Sequence, residues 1–145
     1  MKINTSKFGE VDIAEEKVIR FPRGILGFDH LKSYFIMDYK DTAVKWLQST
    51  DDPDAAFMIM DPFEHFPEYK PDLSPVDRRL LDVNDVSDVV VLSIITVVRE
   101  EEQDPYVTMN LQAPLVFNVG SMVGFQVVME KCKFGVNEII SLQTI

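Results

Sequence analysis

The sequence predicts a mostly β protein, a single domain over residues 1–145 with an antiparallel β-barrel-like fold or a strongly curved sandwich. Three observations support this fold class: short β-branched and aromatic runs recur along the chain, clusters of Asp, Pro and Gly separate them, and one segment alone has the signals of a helix, at about 75–82. With 145 residues, 46% of them hydrophobic, the chain is long enough to bury a core. No repeat, linker or low-complexity segment divides it.

The first sixty residues predict a series of short strands. KINTSKFGEVDI alternates around apolar positions, and KVIRF and YFIMDY are two further runs of strand length. Between them lies FPRGILGF, where Gly24 and Gly27 permit the positive φ of a tight turn. KWLQS and AFMIM predict a hairpin, because the intervening TDDPDA favours a reversal of the chain.

A proline-rich connection follows at Asp61. DPFEHFPEYKPDLSP contains four of the eight prolines and cannot run as a central strand, so it predicts a long ordered connection. Ser74 and Pro75 are an N-cap and a first helical residue. The following VDRRLLDV predicts about two turns of helix with Leu80 and Leu81 turned inward.

The second half of the chain predicts longer strands. DVVVLSIITVV is β-branched throughout and predicts a central strand covered on both faces, in preference to a buried helix of the same length. After the charged turn EEEQDP, YVTMNLQAPLVFNV and MVGFQVVMEKCKF predict two strands, with Gly120 and Ser121 at the hairpin tip. The tail GVNEIISLQTI fits either a last strand or a short helix.

The net charge of −10 is concentrated in the middle of the chain. Residues 51–105 carry four basic and fifteen acidic side chains, a net charge of −11, whereas residues 1–50 sum to +1 and residues 106–145 to zero. Such a segment is either a solvated surface that keeps the protein soluble or a surface for a basic partner.

Composition excludes several classes of function. An acidic chain is a poor direct ligand for nucleic acid, whose binding begins with Lys and Arg on phosphates, and it is equally unsuited to an acidic membrane surface. The single cysteine excludes a disulfide scaffold. The N-terminus lacks the apolar run of a secretory signal and no stretch is long enough to span a membrane, so we expect a cytoplasmic protein.

Catalytic, cofactor and metal motifs are missing, and neither an enzyme nor a cofactor is expected. His30 and His65 have no acid or nucleophile at motif spacing, and the carboxylates of Asp51–Asp54 lack the ligand spacing of a calcium loop. Cys132 lies between two lysines that could lower the pKa of a thiol. On the predicted strand, however, those lysines point to the opposite face, which indicates a buried, inert thiol.

The connection is unusual for a loop because it combines aromatic residues, prolines and acids. Phe63, Phe66 and Tyr69 either pin it to the core or form a docking surface, since rigid aromatic anchors ringed by charge are typical of interface hot spots.

Eight strings in order resemble the FliW family of bacterial flagellar assembly factors: KFGEVDI, FPRGILGF, WLQSTDDPDAAF, DPFEHFPEY, LSPVDRRLL, DVVVLSIITV, VTMNLQAPLVFN and GFQVVME. They cover nearly the whole chain. The resemblance implies a β-barrel-like regulator, monomeric alone, that binds newly made flagellin as a chaperone-like sensor. It also implies binding to the translational regulator CsrA, whose repression of flagellin mRNA it antagonises allosterically.

The resemblance directs the choice of site residues. Trp46 and Phe57 are assigned to the core, and the partner-binding residues are expected to be Lys45, Gln48, Ser49, Asp52, Asp61, Phe63, Phe66 and Tyr69. The chain departs from the family where members often carry Lys or Arg after the NLQAP string. Here NVGSMVGF places Met122 and Val123, which either form an exposed apolar contact or lie in a buried hairpin tip. The alternatives are a secretion chaperone for flagellin with no role in translation, and a hydrolase whose deep pocket joins His65 to carboxylates.

Overall fold

A computed structural model describes residues 1–82 and 86–140 of the chain. Eleven strands lie in these residues: β1 Lys2–Thr5, β2 Gly9–Asp12, β3 Ile19–Arg20, β4 Ser33–Asp38, β5 Lys45–Ser49, β6 Ala56–Met60, β7 Val89–Val98, β8 Tyr106–Met109, β9 Leu115–Asn118, β10 Val123–Gln126 and β11 Glu138–Ile140. The same residues contain one α-helix, α1 Pro75–Leu80, and the 3₁₀ turns Glu15–Lys17, Pro62–Glu64 and Val86–Asp88.

Seven of the strands form a closed ring. Its order is β7-β6-β5-β4-β3-β10-β9, and β9 pairs back to β7. The pairings are antiparallel except for the single parallel contact of Val123 with Arg20, between β10 and β3. Strands β8 and β11 extend the sheet from β7. The predicted mostly β fold with a strongly curved sheet and one short helix is confirmed.

Strand β7 has two successive partners. Residues Val89–Leu92 pair with β9, and residues Ile95–Val98 pair with β8. Its middle is buried at Leu92, Ser93 and Ile95, but Thr96 is exposed, so the predicted cover on both faces extends over the middle of the strand only.

The segment predicted as one strand, YVTMNLQAPLVFNV, is divided between β8 and β9. Residues 110–114 bulge out between them, and Leu111 and Ala113 of this bulge are buried. The other predicted strand, MVGFQVVMEKCKF, is wrong in its second half, because β10 ends at Gln126. The next residue, Val127, lies opposite Pro114, which has no N–H to donate, so the paired bonds of the strand are lost there. The N–H groups of Val127 and Met129 still donate to the Pro114 and Gln112 carbonyls, at 3.0 and 2.8 Å.

The β1–β2 hairpin is a separate two-stranded sheet beside the ring. The Ser6 hydroxyl donates to the Asp54 carboxylate, and the Ser6 N–H donates to the Pro53 carbonyl at 2.9 Å. Phe8 lies edge-on to Trp46 at 6.0 Å between ring centroids. Trp46 is half-buried under this hairpin rather than a full core residue.

Two clusters of buried side chains fill the fold. One includes Tyr69, Leu81, Met109 and Leu111, and the other includes Phe21, Tyr34, Leu47 and Ile59. Phe57 is half-buried against the second cluster, which agrees with its expected place in the core. Val123 and Met122 are both half-buried, each against a different cluster, so the hairpin tip does not offer them as an exposed apolar contact.

The predicted helix begins where its signals place it. The Ser74 hydroxyl accepts from the Asp77 N–H at 3.1 Å, and the Asp77 carboxylate accepts from the Ser74 N–H at 3.0 Å, which forms a capping box. The helix ends at Leu80, two residues before the predicted end. Leu81 is fully buried, whereas Leu80 is half-buried.

Three further predictions are settled by the described residues. Gly24 has φ of +67° in the turn before β4, and an added Cβ there would lie 2.5 Å from the Asp29 Cα, so the turn needs glycine. The hairpin of β5 and β6 is confirmed. Of the two alternatives for the tail, strand or short helix, the structure has a strand over Glu138–Ile140. Residues 141–145 lie outside the described residues.

We expect replacement of Tyr34 by Phe to reduce the loss of stability at alkaline pH. The Tyr34 hydroxyl is buried without a hydrogen-bond partner among the described residues. Burial, with smaller contributions from Asp51 and Asp52, raises the pKa of Tyr34 to about 12. The folded state therefore keeps the proton longer than the unfolded chain, and the free energy of unfolding falls as pH rises from the usual tyrosine pKa of about 10.

Chemical denaturation between neutral pH and the alkaline limit measures this effect. In Tyr34→Phe the decline should be shallower, with no loss of stability at neutral pH, because the hydroxyl removed has no partner. Tyr39→Phe is the control. A decline as steep in Tyr34→Phe as in the parent would contradict this account.

Candidate functional site

The predicted partner-binding residues are divided between the two ends of β6. Gln48, Ser49 and Asp52 lie where β5 ends and the turn to β6 begins. The second group follows β6, and Lys45 lies with it because it pairs with Ile59 near the end of that strand. A strand the length of β6 separates the two ends by roughly 15 Å. The members of the second group are Lys45, Asp61, Phe63, Phe66 and Tyr69.

Gln48 and Ser49 shape the β5–β6 turn from inside. Both are fully buried. The Ser49 hydroxyl accepts from the N–H groups of Asp51 and Asp52, each at 3.0 Å. The Gln48 amide nitrogen lies 3.1–3.3 Å from four carbonyl oxygens of residues 49–55. These two side chains hold the turn from inside, and their predicted role in partner binding stays a prediction.

The outer side of the β5–β6 turn carries carboxylates. Asp51 and Asp54 are exposed, and Asp52 is half-exposed. The Asp52 carboxylate accepts from the Asp54 N–H at 2.9 Å. The turn is therefore rigid, and it presents three negative charges at one end of β6. We call residues 51–54 the acidic turn.

The start of the connection is a 3₁₀ turn that the sequence reading did not predict. The Asp61 carboxylate accepts from the Phe63 N–H at 2.8 Å, with Pro62 in the first position of the turn. The signal was available, since Asp61–Pro62 repeats the capping arrangement of Ser74–Pro75. This turn leaves Phe63 exposed over 39% of its surface.

Tyr69 pins the connection to the bulge between β8 and β9. It is only 2% exposed, and its hydroxyl donates to the Leu111 carbonyl at 2.6 Å. Burial, with a smaller contribution from Cys132, raises the pKa of Tyr69. The ring lies between Phe63, at 5.9 Å, and Phe134, at 5.7 Å between centroids. Tyr69 therefore acts in the fold, and Phe63 rests on it.

Phe66 is an intermediate case among the predicted anchors. It is half-buried and lies edge-on to Phe134 at 5.5 Å. Tyr69 and Phe66 thus pin the connection, as the first alternative predicts, while Phe63 is exposed beside Tyr69. A docking role for Phe63, the second alternative, stays a prediction. We call the exposed surface of Asp61 and Phe63 the aromatic end of the connection.

Lys45 forms an ion pair with Asp38 at the start of β5. The pair is largely exposed, with 44% of the Lys45 side chain and 77% of the Asp38 side chain accessible. Such pairs contribute little to stability, so Lys45 is available to a partner at the same end of β6 as Asp61.

The structure divides the acidic middle of the chain into separate patches. The acidic turn precedes β6, whereas Asp61, Glu64 and Glu68 follow it, and Glu100–Glu102 lie in the turn between β7 and β8. Because β7 runs antiparallel to β6, Glu100–Glu102 lie toward the same end of β6 as the acidic turn, whereas Asp61, Glu64 and Glu68 lie at the other. A basic partner would therefore meet the carboxylates of one end and not one continuous surface from 51 to 105.

The prediction that Cys132 lies on a strand is wrong. The chain is irregular there, because β10 ends at Gln126 and Met129 is the last residue of the segment whose N–H bonds across, to the Gln112 carbonyl. The thiol is half-buried, and its sulfur lies 3.9 Å from the Leu111 carbonyl, to which it donates. Lys133 lies over the Phe134 ring at 5.1 Å. The sulfur is thus held by the bulge rather than by strand geometry.

A hydrolase would need a pocket that joins His65 to carboxylates. Three surface grooves in the described part of the chain are lined by other side chains than His30 and His65. Within residues 1–82 and 86–140, no group of three His, Cys, Asp or Glu side chains is placed to hold a metal ion. No helix of the described residues is long and apolar enough to cross a membrane.

Comparison with known proteins gives one consistent result. The family model described as FliW protein matches residues 2–140. The Flagellar assembly factor FliW of Clostridium botulinum is 37% identical over 134 residues, covering 91% of this chain and 92% of that protein. The protein of the same name from Alkaliphilus metalliredigens is 38% identical over 132 residues, covering 90% of this chain and 80% of that protein.

A solved structure is similar over its full length. The crystal structure of the flagellar assembly factor FliW superposes with a TM-score of 0.86 at 31% identity, and the match covers 100% of both chains.

We expect Tyr69→Phe to lower the free energy of unfolding by about 1 kcal/mol, the usual net contribution of a hydrogen bond. The loss should be no larger, because the Leu111 carbonyl keeps the Cys132 thiol as a donor. Thermal unfolding should show a midpoint lower by about 3 °C. Tyr39→Phe serves as the control, since the Tyr39 hydroxyl makes no hydrogen bond within the described residues and only its ring makes contacts, to Trp46 and Lys40. An unchanged midpoint in Tyr69→Phe would contradict the anchoring role.

Proposed function

The chain belongs to the FliW family of flagellar assembly factors, and we propose that it couples flagellin synthesis to flagellin export by binding two proteins in turn. One partner is newly made flagellin, bound in the cytoplasm as by a chaperone. The other is the translational regulator CsrA. The observation that carries the proposal is the division of the candidate residues between two ends of β6, one acidic and one aromatic.

In the proposed cycle the two partners bind in turn, so flagellin bound at one end of β6 must lower the affinity of the other end for CsrA. When flagellin accumulates it occupies this chain, and CsrA is left free to repress flagellin mRNA. When flagellin is exported, the chain binds CsrA and antagonises it allosterically. The protein thus acts on RNA through CsrA, without touching nucleic acid and without catalysis.

We assign CsrA to the acidic turn. An RNA-binding protein presents basic surface, and complementary charge speeds encounter and selects partners. The turn is held rigid by Gln48 and Ser49, so its carboxylates are ordered before a partner arrives. A rigid site loses less conformational entropy on binding than a mobile one.

We assign flagellin to the aromatic end of the connection. Phe63 is an exposed large apolar side chain on a buried aromatic support, the arrangement typical of an interface anchor. Asp61 fixes the turn that carries Phe63, through its bond to the Phe63 N–H. Lys45 lies at the same end of β6 and could add a polar contact.

We expect the double variant Asp51→Asn, Asp52→Asn to weaken CsrA binding by about two- to fivefold per charge at low salt. Asparagine keeps the side-chain oxygen with which Asp52 accepts from the Asp54 N–H, so the turn should stay folded. Isothermal titration with CsrA at two salt concentrations measures the effect.

The matched control is Glu15→Gln, Glu16→Gln, which removes two adjacent exposed carboxylates elsewhere on the chain. Its affinity for CsrA should stay close to that of the parent. Equal weakening by both double variants would mean that overall charge, and not the acidic turn, attracts CsrA. If the parent does not bind CsrA at all, the alternative of a flagellin chaperone without a role in translation is favoured.

We expect Phe63→Ala to weaken flagellin binding by about tenfold or more, as is typical of a hot-spot aromatic residue. Binding of CsrA should be unchanged, because the acidic turn lies at the other end of β6. Val76→Ala on helix α1 is the control, since Val76 is similarly exposed, at 51%. Titration of purified flagellin measures the affinity. Unchanged flagellin binding by Phe63→Ala would remove the aromatic end from the interface.

A further inference from the structure

A groove lies between the proline-rich connection and the segment that follows β10. Residues 68–77 form one side and residues 127–134 form the other. Its volume of about 730 Å³ is within the range of ligand sites. Tyr69 and Met129 are buried at its inner wall, and the Asp72 N–H lies 3.3 Å from the Met129 sulfur. Both sides of the groove are thus fixed to the fold.

One side of this groove is an open strand edge. The N–H groups of Val127 and Met129 donate to the carbonyls of Pro114 and Gln112, at 3.0 and 2.8 Å. Because successive residues of an extended chain direct their main-chain groups to opposite sides, the N–H and carbonyl of Val128 point away from this ladder. Neither has a hydrogen-bond partner among the described residues, and Val128 is 54% exposed.

The opposite side of the groove does not pair with this edge. Pro71 and Pro75 have no N–H, and the Asp72 N–H already contacts the Met129 sulfur. A strand edge left open in this way is a template for an added strand.

We propose that this groove binds an extended basic peptide of a partner protein, which adds a strand along Val128. Main-chain hydrogen bonds would supply affinity, and side chains at alternate positions would supply selectivity. This inference does not rest on the identity of the partners assigned above, and the groove is a different surface from the acidic turn.

The charge of the groove selects a basic peptide. Glu68, Asp72 and Glu130 are exposed and have no ion pair within residues 1–82 and 86–140. Asp77 lines the groove as a fourth carboxylate, against three lysines, Lys70, Lys131 and Lys133, of which Lys133 lies over the Phe134 ring. The lining thus has one more carboxylate than lysine, on a chain of net charge −10, so basic side chains are favoured at the rim.

The experiment uses two fluorescent peptides, acetyl-KVKVKV-amide and acetyl-EVEVEV-amide, with the full chain. We expect the basic peptide to bind and the acidic peptide to bind at least about tenfold more weakly at low salt. In ¹⁵N spectra of the chain, the basic peptide should shift the Val128 and Glu130 amide signals. Equal binding of both peptides, or shifts confined to other segments, would overturn the proposal.

A matched pair of variants tests the strand edge itself. Val128→Pro removes an N–H that the fold does not use, and Val128→Thr keeps both this N–H and the branched side chain. We expect Val128→Pro to bind the basic peptide at least about fivefold more weakly than Val128→Thr. Equal affinity of the two variants would overturn strand addition.

A second measurement covers the case in which Val128→Pro does not fold. The basic peptide with N-methyl groups at every residue keeps its side chains and charge but cannot donate main-chain hydrogen bonds. The parent chain should bind it at least about fivefold more weakly than the unmodified peptide. Undiminished binding of the methylated peptide would contradict main-chain recognition.

Discussion

The fold depends on the way β7 is shared between two partners. Its first half pairs with β9 and closes the ring, and its second half pairs with β8. The chain that passes from β8 to β9 must therefore leave the ladder at residues 110–114. That bulge turns Leu111 inward and frees its carbonyl, which receives the Tyr69 hydroxyl and the Cys132 thiol. The proline-rich connection and the segment after β10 are both held at this one point.

This arrangement places a rigid, irregular segment at each end of the short strand β6. Before β6, buried Gln48 and Ser49 hold a turn whose outer side carries carboxylates. After β6, Tyr69 fixes the proline-rich connection to the fold, and the Phe63 side chain of this connection is exposed. A closed ring resists deformation, since packed cores transmit strain rather than absorbing it. Two surfaces of different chemistry on one rigid body suit a protein that serves two partners, as proposed for this chain.

Much of the fold could be predicted from the sequence because its signals are local. The hairpin at TDDPDA, the cap at Ser74 and the glycine turn at Gly24 each depend on neighbouring residues. The division of YVTMNLQAPLVFNV between β8 and β9 depends on pairing with distant β7, and the early end of β10 depends on Pro114 across the ladder. The same limit applies to the candidate site: the residue types point to the turn at 51–54 and to the connection, but burial of Gln48, Ser49 and Tyr69 is set by packing that no local pattern records.

The central claim is that flagellin and CsrA meet opposite ends of β6. Hydrogen–deuterium exchange of the chain, alone and saturated with each partner, tests it most directly. We expect CsrA to slow exchange at residues 49–56, and flagellin to slow exchange at residues 61–70. Protection of the same segment by both partners, or protection of neither segment, would contradict it.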